Sequence, residues 1–331
     1  MNKHWTKDDL ITLSRTYQHS ALLMAAAELD LFSPLAQHPY TAGELARHLH
    51  ASARPLQVLL DALAGLDLLD KQDDRYHLSH PLQDLLVESR PENILGALRH
   101  QANCARRWHQ LAQVILQGHA EPHQPSVRGA QADQQAFVTA MHTFSDPQAD
   151  ALVARLKPLQ CRHILDVGGA SGTWTMALLR AAPHAKATLF DLPPVIPLAQ
   201  QRLLDAGFAH RAACISGDFY HDELPGHADF AWLSAIVHQN SRGQNRELFA
   251  KIHRALNSPG QLVIRDVVMQ PGRTEPLAGA LFAVNMLVST DAGTTFTFDE
   301  LRDDLHAAAF TKVELIYHDE FMNSLLVAHK K

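Results

Sequence analysis

The stretch from His163 to Leu179, HILDVGGASGTWTMALL, constrains the fold of this chain more than any other. Ile164, Leu165 and Val167 form a short strand pattern, glycines follow it, and a helical pattern carries Trp174. Glycine is required where a backbone curves closely around a ligand, and the free N–H groups of the following helix point into such a turn. The sequence therefore predicts a strand, a ligand-binding turn and a helix.

The glycines of this turn do not have the spacing of a dinucleotide fingerprint. They are Gly168, Gly169 and Gly172, whereas the fingerprint is G-x-G-x-x-G and normally has no acid at the end of the strand. Here Asp166 precedes the first glycine by two positions. Because a carboxylate repels a pyrophosphate and attracts an ammonium group, the turn is predicted to hold the cationic amino-acid end of a ligand. An ordinary tight loop is the alternative.

A second acid, Asp191, closes the next predicted strand, Ala187 to Phe190, and is followed by Leu192. It stands roughly 20 residues beyond the glycine turn, the distance at which a βαβ unit brings a carboxylate to ribose hydroxyls. A cationic amino-acid end and a ribose end together describe S-adenosylmethionine (SAM). We therefore predict that SAM is the ligand; a plain turn carboxylate before Pro193 is the alternative for the second acid.

Size and charge favour small-molecule chemistry over nucleic-acid binding. The 331 residues suffice for about two domains, and a hydrophobic content of 46% supports a sizeable core. The net charge of −6 at pH 7 does not suggest a nucleic-acid partner. Three cysteines without CxxC spacing, and the absence of a signal peptide or a run of 18 apolar residues, predict a cytoplasmic protein without a membrane span. No metal site is predicted, because no HxxxH or HExxH pair lies on a convincing helix.

Residues 1–95 are predicted to form a winged-helix-like domain. Asp8 to Leu35 has the pattern of one long apolar helix, a capping box at Thr41 opens the next helix, and a third helix runs from Pro55 through Leu66. Leu68 to Leu78 then predicts a hairpin. Winged helices often bind DNA, but this region is at least as rich in acids as in bases and its predicted recognition helix has no basic face. Dimerisation is therefore the favoured role.

Residues 96–155 are predicted to form a helical linker, and residues 156–331 the ligand-binding domain. The linker carries Trp108, Met141 and His142, which we expect to contact a substrate, since helices between two domains commonly line the cleft. A core methionine and a satisfied or exposed histidine are the alternative for the last two.

The remainder of the chain alternates strands with helices and ends on two strands joined by a short link. This pattern predicts an α/β fold with a mostly parallel sheet, helices on both faces and a C-terminal antiparallel hairpin. Ligands bind beyond the carboxyl ends of such strands. Side chains near the predicted strand ends should surround one crevice: Asp166, Asp191, Asp218, His238 and Asp266. Asp218 and Phe219 suit an adenine, whereas a turn acid and a core ring are the alternative.

Several segments together resemble the SAM-dependent O-methyltransferases related to plant caffeic acid and animal acetylserotonin methyltransferases, which have many bacterial natural-product members. The segments are DVGGASG, FDLPPV, GDF, LSAIVHQNS and AGTTFTFDELRDDLHAAAF, and the similarity covers nearly the whole chain. The resemblance implies a Rossmann-like class I methyltransferase domain with a seven-stranded sheet, preceded by a winged-helix domain that forms a homodimer. SAM would be the cofactor, S-adenosylhomocysteine (SAH) its product, and a small molecule the methyl acceptor.

The residues and the resemblance together predict the members of the site. The cofactor-binding set is Asp166, Gly168, Gly169, Gly172, Asp191, Leu192, Asp218, Phe219 and Ser234. The acceptor-binding set is Trp108, Met141, His142, Asn285 and Met286. By resemblance, His238 matches the general base of the family, and Asp266 stands where the family has a glutamate beside that histidine. A buried structural histidine is the alternative for His238.

Three departures from the family concern the base and the adenine. Gln239 and Asn240 stand where plant members have Asp-Trp, Ser234 stands where they have a lysine near the adenine, and Thr295 stands where they have a second glutamate beside the histidine. With fewer carboxylate neighbours, His238 is expected to have a lower pKa and to be a weaker base. Such a base suits a phenol better than an aliphatic alcohol.

These departures keep other reactions open. C- or N-methylation, chemistry in which SAM is retained without methyl transfer, and a metal held between His142 and His238 are all compatible with the sequence. An NAD-dependent oxidoreductase is disfavoured by Asp166 and the glycine spacing. A DNA-binding regulator is disfavoured by the acidic N-terminal region.

Overall fold

The computed structural model describes residues 4–331, so the first three residues of the N-terminal stretch considered for a signal peptide lie outside the described residues. The helices are α1 (Lys7–Arg15), α2 (Tyr17–Glu28), α3 (Phe32–Gln37), α4 (Ala42–His48), α5 (Ala53–Gly65), α6 (Gln83–Leu86), α7 (Leu95–Trp108), α8 (Leu111–Gln117), α9 (Ala130–Ala154), α10 (Thr173–Ala181), α11 (Ile196–Asp205), α12 (Arg242–Ala255), α13 (Leu277–Leu287) and α14 (Phe298–Ala307). The strands are β1 (Tyr40–Thr41), β2 (Leu69–Gln72), β3 (Arg75–Leu78), β4 (His163–Val167), β5 (Lys186–Asp191), β6 (Ala212–Ser216), β7 (Ala228–Ser234), β8 (Leu256–Asp266), β9 (Val268–Met269), β10 (Phe296–Thr297), β11 (Val313–Tyr317) and β12 (Ser324–Lys330).

The chain divides into two compact units. The first consists of residues up to Arg106 together with His123–Thr143, and the second of Arg107–Pro122 together with Phe144–Lys331. The segment predicted as a linker thus contributes residues to both units, and the predicted boundaries at 95 and 155 stay predictions. No helix within residues 4–331 is both long enough and apolar enough to cross a membrane.

The first unit combines helices with a small sheet of strand order β1-β3-β2. The hairpin of β2 and β3 is confirmed, and so is the capping box in which Thr41 Oγ1 accepts from the Glu44 N–H and the Glu44 carboxylate accepts from the Thr41 N–H. The prediction of one long apolar helix is wrong, because the region forms α1, α2 and α3. The chain leaves α2 through Asp30, whose φ is +52, and Pro34 lies in the first turn of α3, where a missing N–H is tolerated.

The second unit is built on a seven-stranded sheet of order β11-β12-β8-β7-β4-β5-β6. Strands β4 to β8 are mutually parallel, and β12 pairs antiparallel with both β8 and β11. This confirms the predicted parallel sheet and its C-terminal antiparallel hairpin. Because β4 to β8 are parallel, their carboxyl ends lie at the same end of the sheet. The chain places β5 and β6 on one side of β4, and β7 and β8 on the other, so strand ends from both sides meet next to β4.

Helices cover both faces of this sheet. On one face, Phe249 of α12 and Leu301 of α14 belong to the same buried cluster as Leu165 of β4. On the other face, Trp174 of α10 packs against Trp232 of β7, with ring centroids 5.2 Å apart. Because helices cover both faces of the sheet, the polar side chains that follow the strands lie at the carboxyl ends of the strands and not on the faces.

An ion-pair cluster ties α12 to α14. The carboxylate of Asp304 is fully buried and accepts from Arg242 Nε and Nη2, both at 2.9 Å, and from Arg246 Nε at 2.6 Å. Hydrogen bonds to a charged group are stronger than those between neutral groups. This carboxylate therefore fixes the spacing of the two helices.

We expect Asp304→Asn to lower the free energy of unfolding by about 1–3 kcal/mol, because it weakens hydrogen bonds to a charged acceptor. The loss is limited because both arginines are partly exposed and regain solvation. Urea unfolding measures the change. The control is Asp303→Asn, whose exposed carboxylate should change the free energy by less than about 0.5 kcal/mol. Equal effects of the two substitutions would contradict this role for Asp304.

Candidate active site

The turn after β4 requires glycine for steric reasons. Gly168 has a φ of +70 and Gly172 a φ of +77, a region that side chains rarely tolerate. A Cβ on Gly168 would lie 2.6 Å from Ile236 Cδ1, and a Cβ on Gly169 would lie 2.5 Å from Leu189 Cγ. The backbone of the turn is therefore packed closely against the residues that follow β7 and against β5.

Asp191 closes over this turn from the end of β5. Its Oδ2 accepts from the Ala170 N–H at 2.7 Å, and its Oδ1 accepts from the Leu192 N–H at 2.7 Å. Burial raises the pKa of this carboxyl. Each oxygen keeps a second lone pair, so the carboxylate can still accept hydroxyl groups of a ligand.

Asp166 lies beneath the turn. Its side chain is 1% exposed and accepts from Thr175 Oγ1 of α10 at 2.5 Å. Burial, with a contribution from the charge of Asp191, raises the pKa of this carboxyl to about 7. The expected contact with a ligand ammonium stays a prediction, and the geometry adds that the carboxylate also anchors the start of α10.

The loop after β6 carries Asp218 and Phe219. Asp218 Oδ1 accepts from the Tyr220 N–H at 2.9 Å, and the Phe219 ring lies 3.8 Å from where a Cβ of Gly168 would be. Lys251 Nζ of α12 donates to the carbonyls of Phe219 and Tyr220, at 2.9 and 3.2 Å, and to one further carbonyl of the loop. The loop is thus held in place from α12, with an aromatic ring beside the glycine turn.

His238 lies in a 3₁₀ turn, Val237–Gln239, that follows β7. Its Nδ1 is 2.9 Å from both carboxylate oxygens of Asp266, and the two side chains are almost completely buried. The Phe282 ring of α13 meets the imidazole edge-on, with centroids 4.7 Å apart. Because a carboxylate only accepts, Nδ1 carries the hydrogen in the neutral ring and Nε2 carries the lone pair.

Ser234 ends β7 in contact with a buried cation. Arg265 Nη1 of β8 donates to Ser234 Oγ at 3.1 Å, while Nε and Nη2 donate to Asn323 Oδ1 at 3.0 and 2.8 Å. The guanidinium also lies 4.5 Å from the ring centroid of Trp174. Burial lowers the pKa of Arg265 to about 10. A positive charge therefore adjoins Ser234, although the side chain at 234 is neutral.

The predicted acceptor-binding residues fall into two groups. In the second unit, Trp108 Nε1 donates to Asn285 Oδ1 at 2.9 Å, and Met286 is buried beside it on the helix that also carries Phe282. The other group, Met141 and His142 of α9, belongs to the first unit, and its contact with an acceptor stays a prediction. Residues 4–331 contain no group of three or more His, Cys, Asp or Glu side chains that could hold a metal ion.

Sequence reasoning missed several residues that complete this site: Thr175, Tyr220, Phe282, Arg265 and Lys251. Each reaches the site from another element, so no motif marks it. One signal in the sequence could have identified Thr175. A threonine in the first turn of the helix that follows a glycine turn can donate a hydrogen bond to the acid at the end of the strand, here Asp166.

Contacts join the carboxyl ends of the five parallel strands, β4 to β8. The turn after β4 touches Ile236, Asp191 and Phe219, and the segment after β7 is bound to the end of β8 through His238 and Asp266. A carboxylate with spare lone pairs, an aromatic ring and a turn that admits no side chain fit a nucleoside with an amino-acid tail. An imidazole with a defined basic nitrogen fits proton abstraction.

Comparisons with known proteins give a consistent family description. The profile of the O-methyltransferase domain matches residues 108–311, and that of the O-methyltransferase dimerisation domain matches residues 11–88. The 3-hydroxy-5-methyl-1-naphthoate 3-O-methyltransferase of Streptomyces sahachiroi is 31% identical over 299 residues, which cover 89% of this chain and 86% of that protein. The N,N-dimethyltransferase OxyT of Streptomyces rimosus is 30% identical over 331 residues, 97% of this chain and 96% of that protein.

Solved structures share the fold. The structure of PigF with SAH superposes with a TM-score of 0.86 at 24% sequence identity, and the match covers 98% of this chain and 100% of that chain. The agreement extends over both units of the chain, each of which is therefore a known arrangement of elements.

We expect SAH binding near pH 7 to release protons through Asp166. With a pKa of about 7, this carboxyl is about half protonated in the free protein at pH 7, and a neighbouring ammonium group lowers the pKa and expels the proton. Affinity should therefore rise between pH 5.5 and 7.5, as the carboxyl ionises more readily. Calorimetry in two buffers of different ionisation enthalpy measures the release.

The control for this measurement is Asp166→Asn, which keeps an acceptor for Thr175 and cannot titrate. The proton release and the rise of affinity with pH should both disappear in this variant. Proton release of the same size in both proteins would show that another group titrates.

Proposed function

Because the chain belongs to the O-methyltransferase family, whose methyl donor is SAM, we propose that it methylates a phenolic hydroxyl of a small aromatic molecule, with His238 as general base. The observation that carries this proposal is the buried pair of His238 and Asp266 at the carboxyl edge of the sheet. The carboxylate holds the imidazole in one tautomer, so Nε2 is the nitrogen that accepts a proton.

The cofactor set supports the proposal through its donors and acceptors. We infer that Asp191 accepts the ribose hydroxyls, that Asp218 and Phe219 bind the adenine, and that the turn from Gly168 to Gly172 receives the amino-acid end. When bound, SAM supplies an electrophilic methyl carbon that an oxygen attacks in line with the sulfur. Alignment of the two reacting atoms contributes roughly 7–11 kcal/mol to the lowering of such a barrier.

The residues of this chain then handle the proton. His238 Nε2 accepts the hydrogen of the acceptor hydroxyl as the oxygen becomes a nucleophile, and Asp266 stabilises the imidazolium that forms. The Phe282 ring packs against the imidazole and restricts its rotation. A positioned base of this kind accelerates a reaction by about 10²- to 10⁴-fold.

An acidic hydroxyl is the acceptor that suits this base. Asp266 is the only carboxylate bonded to His238 in the described residues, and Thr295, at the position of the family's second glutamate, is buried with its carbonyl accepting from Arg273. One carboxylate gives less stabilisation to an imidazolium than two. The similarity to a hydroxynaphthoate methyltransferase supports an aromatic phenol.

An aromatic amine is the second candidate acceptor. The observation that favours it is the 30% identity to an N,N-dimethyltransferase over nearly the whole chain. A neutral aromatic amine attacks through its lone pair and loses its proton afterwards, so it depends less on a base than a neutral phenol does. Loss of His238 should therefore affect the two acceptor classes to different extents.

His238→Ala should lower kcat for a 3-hydroxy-1-naphthoic acid probe by about 100-fold or more, because the variant loses general-base catalysis. SAH formed in equal amount to methylated product is the measurement, and calorimetry should show SAH affinity within about threefold of wild type, since the imidazole is assigned to the acceptor. A loss below about tenfold would contradict the assignment of the base. An aminonaphthoic acid assayed in parallel distinguishes the amine alternative.

The first unit supports a homodimer. Helix α1 has no buried residue and exposes Leu10, Ile11 and Leu13, and Tyr17 at the start of α2 is also exposed. A groove of about 640 Å³, lined in part by Tyr17 and Leu66, continues this apolar surface between α2 and α5. We infer that a second copy covers it, because the profile of the dimerisation domain begins at Ile11 within α1 and includes α2 and α5, and exposed apolar patches of this kind mark interfaces.

Leu10→Glu combined with Leu13→Glu should convert the dimer to a monomer, because two charges would be buried without partners in the interface. Sedimentation velocity measures the mass. Leu116→Glu, on the exposed face of α8, is the control and should leave the dimer intact. A wild-type protein that sediments as a monomer at micromolar concentration would contradict the inference.

A further inference from the structure

A chain of hydrogen bonds links the loop after β6 to the turn that carries His238. The Tyr220 hydroxyl donates to Asn240 Oδ1, and Asn240 Nδ2 donates to Asn245 Oδ1 at 2.9 Å. Asn245 Nδ2 then donates to the Val237 carbonyl at 2.9 Å. Both asparagines are completely buried. The chain therefore starts beside Phe219 and ends next to His238.

The direction of these bonds is fixed by the groups that take part. The Val237 carbonyl only accepts, so Asn245 must present its amide nitrogen there and its oxygen to Asn240. Asn240 in turn presents its nitrogen to Asn245, which leaves its oxygen for the Tyr220 hydroxyl. Burial raises the pKa of the Tyr220 hydroxyl, so it remains a protonated donor at neutral pH.

Both ends of the chain are anchored. At one end Lys251 Nζ holds the loop by donating to the carbonyls of Phe219 and Tyr220. At the other end the hydrogen bonds reach the 3₁₀ turn at Val237 and at Asn240, on either side of His238. Since a buried amide without a partner is costly, the turn and the loop are stable together and less stable apart.

We propose that Tyr220 is a positioning residue: through Asn240, its hydroxyl couples the loop that binds the nucleoside to the turn that orients His238. Binding of the nucleoside then stabilises the turn further, and with it the position in which Asp266 holds the imidazole for proton transfer. The coupling rests on the roles proposed above for Phe219 and His238. Asn240, which stands where plant members of the family have tryptophan, makes this link possible in the present chain.

Tyr220→Phe is the variant that isolates the hydroxyl. The Tyr220 ring lies 4.7 Å from the Phe219 ring, and phenylalanine keeps that contact while removing the donor. Tyr317→Phe is the matched control, because it removes the same group from β11, at the opposite edge of the sheet from β6. Tyr317→Phe should unfold at a temperature close to that of wild type, whereas Tyr220→Phe leaves the buried Asn240 Oδ1 without its donor and should unfold at a somewhat lower temperature. Exchange and kinetics are therefore compared well below both unfolding transitions.

Hydrogen exchange with and without SAH tests the coupling directly. SAH should slow exchange of the peptide spanning residues 236–241 by about tenfold in wild type and in the control, and by less than about twofold in Tyr220→Phe. The affinity for SAH, measured by calorimetry, should stay within about threefold in all three proteins. Equal protection in Tyr220→Phe, or a parallel loss of SAH affinity, would overturn the proposal.

Kinetics with the 3-hydroxy-1-naphthoic acid probe give a second readout. Tyr220→Phe should lower kcat by about tenfold while the KM for SAM changes by less than about threefold, and the deficit should shrink above the pKa of the phenol, where no base is needed. The failures are distinguishable. A rate retained in His238→Ala overturns the base and leaves the exchange result to decide the coupling. An inactive His238→Ala beside a fully active Tyr220→Phe overturns the coupling alone.

Discussion

The hydrogen bonding of His238 to Asp266 is the interaction on which the candidate site depends. It forms because the sheet places the ends of two strands side by side. The two residues are 28 positions apart in the chain and meet because β7 and β8 are parallel neighbours whose carboxyl ends lie side by side. A carboxylate that is 1% exposed is stable only if its oxygens are satisfied. The imidazole and the Val267 N–H satisfy them here, so the histidine and the strand end stabilise each other.

Three carboxylates near the ends of β4, β5 and β8 have different properties because their surroundings differ. Asp166 is buried beneath the turn and bonded to a hydroxyl, so its pKa is raised to about 7. Asp191 accepts two backbone N–H groups and keeps lone pairs for a ligand. Asp266 is bonded to an imidazole. One residue type thus supplies a buried anchor, a carboxylate with free lone pairs and the partner of an imidazole.

Sequence patterns predicted the features that depend on neighbouring residues. The parallel strands, the capping box at Thr41 and the C-terminal hairpin follow from apolar periodicity and turn chemistry, and the structure has them. Apolar periodicity continues across Asp30, so it concealed the break between α2 and α3, which is a property of one backbone angle. Phe282 and Tyr220 were missed because their roles come from contacts with distant elements, which no local spacing encodes.

The contact between Ser234 and Arg265 has a consequence for tracing function across relatives. A sequence alignment with plant members shows only that serine replaces lysine at position 234. In the folded protein, Arg265 of the adjacent strand brings a cation into contact with that position. Positions 234 and 265 are therefore best compared as a pair, since the charge beside position 234 comes from the adjacent strand. A lysine introduced at 234 while Arg265 stays in place would bring two cations together, which is unfavourable.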